Sequence, residues 1–449
     1  MVHWSSTSIF YHIYPLGLCG APPRNDFTSA PVDRLQGLLP WLDHCRALGC
    51  NALYIGPLFE SGSHGYDTAD YYHPDRRLGD REALRRFCAA AHVRGLRVVL
   101  DGVFNHVGRE FWAFRDVKAN LQHSAYTGWF SGLRFDRRNR SGDPFSYDTW
   151  AGHESLVKLN LANPAVRQHL FGAVEHWICD YDIDGLRLDA ADVIDMDFLQ
   201  ALRAFCLKLK PDFWLMGEVV HGDYRRWVNS QTLHSVTNYE CYKGLYSSLN
   251  DHNFFEIAYA LDRQFGAAGI YRDLPLYNFV DNHDVSRVAS LLRDPRHLPL
   301  VYVLLFTMPG APSLYYGSEF GITGMKDRFS DAPLRPALRL ERFSPQPPPL
   351  VDHIRLLARL RRDLPALRHG GYQQAHVSGE QLAFVRQDST QRLLIAVNAA
   401  SQAVTLALAA PEGGSLTNVL CPAERVEGQN GKLSLPLAAY EWKITISGS

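Results

Sequence analysis

The sequence predicts a closed barrel of eight parallel strands, a (β/α)8 or TIM barrel, with a small domain inserted after strand 3 and a C-terminal antiparallel β-sandwich. Three observations predict it. Eight short apolar runs alternate with longer amphipathic stretches, as repeated βα units do. Polar residues cluster where many of those runs end, and a barrel keeps its functional residues at that face. From about Gly371 the pattern gives way to short alternating segments divided by turn residues. A doubly wound sheet would alternate too, but no GxGxxG follows the first run.

The first four runs are "IFYHIYPL" (9–16), "ALYIGPL" (52–58), "RVVLDGVFNH" (97–106) and "GLRLDAA" (185–191). The next four are "FWLMGEVV" (213–220), "HSVTNYECY" (234–242), "LYNFVDNHD" (276–284) and "APSLYYGSE" (311–319). Helical patterns such as "DREALRRFCAAAHVRG" and "VDHIRLLARLRRDLPAL" separate or follow them. Residues 107–158 break the alternation. They are aromatic-rich, weakly periodic and too many for a simple loop, which predicts a lid or small domain. Its aromatic residues, Phe111 and Phe114 among them, are expected mostly to form that domain's own core. The expected units are 1–106 and 159–370 for the barrel, 107–158 for the insert and 371–449 for the sandwich.

Composition excludes several classes of function. The 449 residues carry 46 basic and 47 acidic side chains, a net charge of −1, without a basic block. Neither nucleic acid nor an anionic membrane is therefore an expected partner. The longest apolar run breaks at Pro309 and Gly310, too short to span a bilayer, and the start shows no leader pattern. Eight cysteines occur without a CxxC pair, mostly in apolar context, which suits free core thiols in a reducing cytoplasm. No HExxH or His-rich tract suggests a metal centre.

The strand ends carry the chemistry. "DGVFNH" ends in Asn105 and His106; "GLRLDAA" holds Arg187 and Asp189; Glu218 follows "WLMG"; "FVDNHD" ends in His283 and Asp284. Arg187 and Asp189 share parity, so a strand aims both at one face. Singly, such a pair is most often a satisfied ion pair. Together, three carboxylates, one arginine and two histidines would meet at one barrel mouth. Arg187 is expected to lower the pKa of Asp189, while nearby negative charge and partial burial keep Glu218 protonated. One ionised and one protonated carboxyl group suit retaining glycoside hydrolysis.

Those segments resemble, in order, the four signature segments of the α-amylase family of glycoside hydrolases, family 13: "DGVFNH" (101–106), "GLRLDAA" (185–191), "GEVV" (217–220) and "FVDNHD" (279–284). "VKLN" (157–160) and "HGYDTADYYHPDRRLGD" (64–80) are similar to segments of its cyclomaltodextrinase, maltogenic amylase and neopullulanase group. The resemblance implies Asp189 as nucleophile, Glu218 as general acid/base and Asp284 as the third carboxylate, binding sugar hydroxyls. It implies that Arg187 holds the nucleophile, that His106 and His283 hydrogen-bond the sugar before the scissile bond, and that Tyr66 stacks on that ring. Asp331 and Arg335, from "DAPLRP", resemble a pair that contacts the next sugar.

The implied activity is hydrolysis of α-1,4-glucosidic bonds in maltodextrins or cyclic maltooligosaccharides through a covalent glucosyl-enzyme intermediate. The alternatives are an α-glucan transglycosylase using the same site, and a non-catalytic sugar-binding barrel. No cofactor is required. Asp192 and Val193 stand where calcium-dependent members carry Lys-His, so the usual calcium site is not expected and calcium is left open. The neopullulanase "VANE" is "AADV" here, which weakens a claim of α-1,6 branch cleavage without deciding it. Oligomeric state is not readable.

Overall fold

The computed structural model describes residues 3–343, 345–411 and 414–447. Its centre is a ring of eight parallel strands: β1 (Phe10–Ile13), β2 (Ala52–Ile55), β3 (Arg97–Gly102), β4 (Gly185–Leu188), β5 (Trp214–Gly217), β6 (Ser235–Val236), β7 (Tyr277–Phe279) and β8 (Ala311–Tyr315). Neighbours in the chain are neighbours in the sheet, and β8 pairs with β1. The ring closes between β6 and β7 by a bridge from Thr237 to Tyr277, where the Asn238 N–H donates to the Tyr277 carbonyl at 2.9 Å.

Period-two alternation separates two apolar layers. Phe10, Tyr54, Val99, Trp214, Met216, Tyr277 and Phe279 fill the ring, while Tyr11, Leu53, Leu100, Leu186 and Leu215 meet the surrounding helices. Some helix starts are capped by side chains: the Asp80 carboxylate accepts the Ala83 N–H at 2.8 Å at the head of Arg81–Val93. Several strands are shorter than the apolar runs. The sixth run yields a two-residue strand because Asn238 caps the helix Tyr239–Asn250, turning "NYECY" away from the sheet.

After β3 the chain leaves the barrel. The insert pairs His106–Gly108 and Thr149–Trp150 with His153–Lys158 and adds a helix, Trp112–Asn120. Phe111, Phe114, Phe130 and Phe145 are buried in its core, whereas Trp112 is exposed. Trp150 turns towards the barrel mouth, its ring 5.8 Å from that of His106.

The C-terminal strands form a six-stranded sheet faced by a two-stranded one, with Val385, Leu394, Leu406, Leu408, Leu433 and Leu435 between them. Helix Leu298–Thr307 is buried along most of its length. Two buried arginines hold its C-terminal end. Arg361 donates to the carbonyls of Phe306 (2.8 Å), Met308 and Gly310; Arg386, from the C-terminal sheet, donates to those of Thr307 and Gly370. Cations belong at that end of a helix, where carbonyls lack intrahelical donors. All eight cysteines are free thiols, and among the described residues no helix is long and apolar enough to cross a membrane.

Candidate active site

The site sits at the C-terminal ends of the strands and is organised by one side chain. Strand register sets Arg187 of β4 directly beside Asp101 of β3. From there the guanidinium reaches three carboxylates. Nη1 donates to Asp101 Oδ1 at 3.0 Å and to Asp189 Oδ1 at 2.9 Å; Nη2 lies 2.8 Å from Glu218 Oε2. Asp189 and Glu218 each stand one residue past a strand, so both lie at the rim rather than in the sheet.

The turn after Asp189 completes the arrangement. Ala190 adopts a left-handed conformation (φ 45°, ψ 45°), which an L-residue holds at a cost of about 1–2 kcal/mol. In return its N–H donates to Glu218 Oε2 at 3.1 Å, and that of Ala191 to the Glu218 carbonyl at 3.0 Å. Backbone strain thus fixes one carboxylate relative to the other.

A second group lies opposite. Asp284 Oδ2 is 2.9 Å from His283 Nε2, and Asp284 Oδ1 accepts from Arg335 Nη2 at 2.9 Å. Arg335 Nη2 also reaches Asp331 Oδ2 at 3.0 Å, and its Nε donates to the His283 carbonyl. Gly17 is required there, since a Cβ on it would lie 2.3 Å from the Arg335 carbonyl oxygen. The Tyr66 hydroxyl joins the two groups, 2.5 Å from His283 Nε2 and donating to Asp101 Oδ2 at 3.0 Å. His106 accepts the Asn105 amide at Nδ1 (3.1 Å), which leaves the ring proton on Nε2, 3.8 Å from Asp189 Oδ2. That Nε2 is buried without a hydrogen-bond partner.

All nine residues singled out from the sequence, namely Asp189, Glu218, Asp284, Tyr66, His106, Arg187, His283, Asp331 and Arg335, belong to this linked arrangement. Arg187 does lower the pKa of Asp189, as expected, but it does not set the outcome. Burial is the strongest influence and pushes the Asp189 carboxyl well above the usual range; Arg187 opposes it, but Glu218, Asp101 and Asp284 add to it. One guanidinium faces three carboxylates here, and its attraction does not offset the burial of Asp189. Asp284 goes the other way: burial raises its pKa, but His283, Arg335 and Arg187 together hold it far below the usual range. Burial and the charge of His64 bring the His106 imidazole down to about 3, so it stays neutral.

Sequence reasoning missed three contributors. Asp101 anchors Arg187 and accepts the Tyr54 hydroxyl at 2.8 Å; Tyr54 lies under the stacked ring of His12 (4.1 Å), which meets His283 edge-on at 5.1 Å. Asp101 stood in the quoted "DGVFNH", and only pairing register reveals its task. For calcium, Asn105 Oδ1 is a buried oxygen without a partner, but among the described residues no three His, Cys, Asp or Glu side chains are grouped to hold a metal ion.

Comparison with known proteins agrees with this geometry. The family model "Alpha amylase, catalytic domain" matches residues 25–333, and "Maltogenic Amylase, C-terminal domain" matches 372–444. A cyclomaltodextrinase of Geobacillus thermopakistaniensis is 30% identical, the match covering 97% of this chain and 76% of that protein. Neopullulanase 2 of Thermoactinomyces vulgaris is 31% identical over 99% of this chain and 78% of its own length. The structure of the cyclic α-maltosyl-(1→6)-maltose hydrolase from Arthrobacter globiformis superposes with a TM-score of 0.82 at 28% identity, each chain covered in full. With fold, signature segments and both domain matches in agreement, the chain belongs to the alpha-amylase family of glycoside hydrolases.

Proposed function

We propose that this glycoside hydrolase cleaves α-1,4-glucosidic bonds in maltodextrins or cyclic maltooligosaccharides by two displacements that retain the anomeric configuration. The observation that carries the reading is the pair of carboxylates on one guanidinium. Asp189 offers Oδ2 while Oδ1 is held by Arg187. Glu218 has Oε2 occupied by Arg187 and the Ala190 N–H, which leaves Oε1 to carry the transferable proton.

In the first step an Asp189 oxygen attacks the anomeric carbon. The bond to the leaving sugar breaks, and Glu218 gives its proton to the departing oxygen. In the second, Glu218, now a carboxylate, takes a proton from water as that oxygen attacks the same carbon and expels Asp189. His106 Nε2–H, His283 and Asp284 hydrogen-bond the ring, and Tyr66 supplies an aromatic face. Asp331 and Arg335 hold the next unit. The sequence of steps calls for neither a metal nor an organic cofactor. The names of the relatives support short and cyclic α-glucans as the substrate class, and eight free thiols suit the cytoplasm.

The test is the anomer released first, read by NMR during hydrolysis of maltotriose. The α-anomer is expected; the β-anomer overturns the mechanism. Products longer than maltotriose would instead identify a transglycosylase.

A further inference from the structure

The loop from Gly324 to Ser330 is fastened to the segment that bears Asp284. The Gly324 N–H donates to Ser290 Oγ at 2.8 Å and the Lys326 N–H to Ser286 Oγ at 2.9 Å; Lys326 Nζ donates to the Asp284 carbonyl at 2.8 Å. Within it, the Phe329 N–H is held by Asp327 Oδ1 at 2.8 Å. Yet Phe329 is 88% exposed and Met325 54% exposed, two large apolar side chains facing water from a tethered backbone. The Phe329 ring lies against the Arg328 guanidinium at 5.6 Å. It precedes Asp331 by two residues, a backbone span of at most about 7 Å, and Asp331 is linked through Arg335 to Asp284. A single exposed apolar residue is ordinary on a protein surface; here two sit on one loop that is fastened to the segment bearing Asp284.

We propose that Phe329 is an apolar platform for a glucose unit beyond the one held by Asp331 and Arg335, and that it sets a preference for longer α-glucan chains. The inference rests on the α-glucan reading above. A pyranose ring has a C–H face that packs on an aromatic ring, and the flanking Arg328 and Asp327 suit its hydroxyl rim. The first two sugar positions are assigned above to other residues, so its contribution falls on chain length.

The experiment measures kcat/KM for maltohexaose and maltotriose in the wild type, Phe329→Ala and Phe329→Trp. The ratio of the two substrates is expected to fall about fivefold in Phe329→Ala, the worth of one exposed ring contact, and to be kept in Phe329→Trp. An unchanged ratio in Phe329→Ala overturns the proposal, as does an equal loss on both substrates. A change in sedimentation with an unchanged ratio assigns Phe329 to a contact between copies and overturns it too. Calorimetric binding of both sugars to Glu218→Gln, with and without Phe329→Ala, separates the two readings. Binding that favours maltohexaose only when Phe329 is present upholds the platform even if the wild type turns over neither sugar. Binding of neither sugar sinks both readings.

Discussion

Arg187 and Asp184 are three residues apart at opposite ends of β4, in opposite electrostatic company. At the mouth, one guanidinium is shared by Asp101, Asp189 and Glu218. At the floor, one carboxylate is shared by two cations and a ring nitrogen: Asp184 accepts from Arg97 at 2.7 Å and Lys210 at 3.0 Å, faces His92 Nε2 at 3.0 Å, and accepts the Val98 N–H at 2.8 Å. Burial raises the pKa of Asp184, but His92, Val98, Arg97 and Lys210 outweigh it and hold the carboxyl below its ordinary range. Asp189 is pushed the other way. Donors gathered on one carboxylate make the floor a brace, whereas carboxylates gathered on one guanidinium make the mouth reactive. Conserving the strand while inverting its charge balance separates stability from chemistry within one barrel.

Four measurements break or sharpen that contrast. Asp189→Ala should lower kcat by at least about 10⁴-fold, since it removes the nucleophile and leaves Arg187 and Glu218 in place. Glu218→Gln should cost about 10²–10⁴-fold in kcat, the range for a positioned general acid. Far-UV circular dichroism should be unchanged in both variants; substantial turnover in either would mean the mouth is not where bonds break. Asp184→Asn should cost about 3 kcal/mol of stability by removing the buried anion that Arg97 and Lys210 share, and the folded fraction should keep its kcat. An unaltered Tm would remove the floor from the comparison.

The smallest effect is the most discriminating. Folding raises the pKa of Asp189, so its contribution is favourable below the unfolded carboxylate value of about 3.9 and is lost as pH rises through the folded value. Asp189→Asn should therefore raise Tm at pH 7, by about 1 kcal/mol in stability, with the gain vanishing towards pH 4. The contribution of Asp184 has the opposite sign: present above about pH 3.9 and lost as pH falls through its depressed folded value. Melting both variants between pH 3 and 8 would show the two trends crossing, and parallel trends would refute the inversion.

Much of this was legible in the chain. All eight apolar runs contribute a strand to the ring, because burial on two faces demands continuous apolar residues. Their ends were read too long, since a capping residue such as Asn238 competes with the sheet only once the helix after it has formed. Asp189, Glu218, His106, His283 and Asp284 could be named because they stand near the ends of strand-like runs, whereas Tyr66, Asp331 and Arg335 came from the family resemblance alone. Charge balance could not be read the same way. Parity places Arg187 near Asp189, but the sharing of that arginine with Asp101 and Glu218 is set by register across three strands. Ala190 shows no sequence signal either, as a left-handed alanine is imposed by its surroundings rather than by its own preference.

Arg386 enters the end of a barrel helix from another domain, and this bears on how the chain can be divided. A fragment stopped at residue 370 would retain every catalytic group, yet it would leave the Thr307 carbonyl at the end of a buried helix without the Arg386 donor. The tail is a keystone rather than an appendage, and a shortened catalyst would be expected to aggregate before it could be assayed.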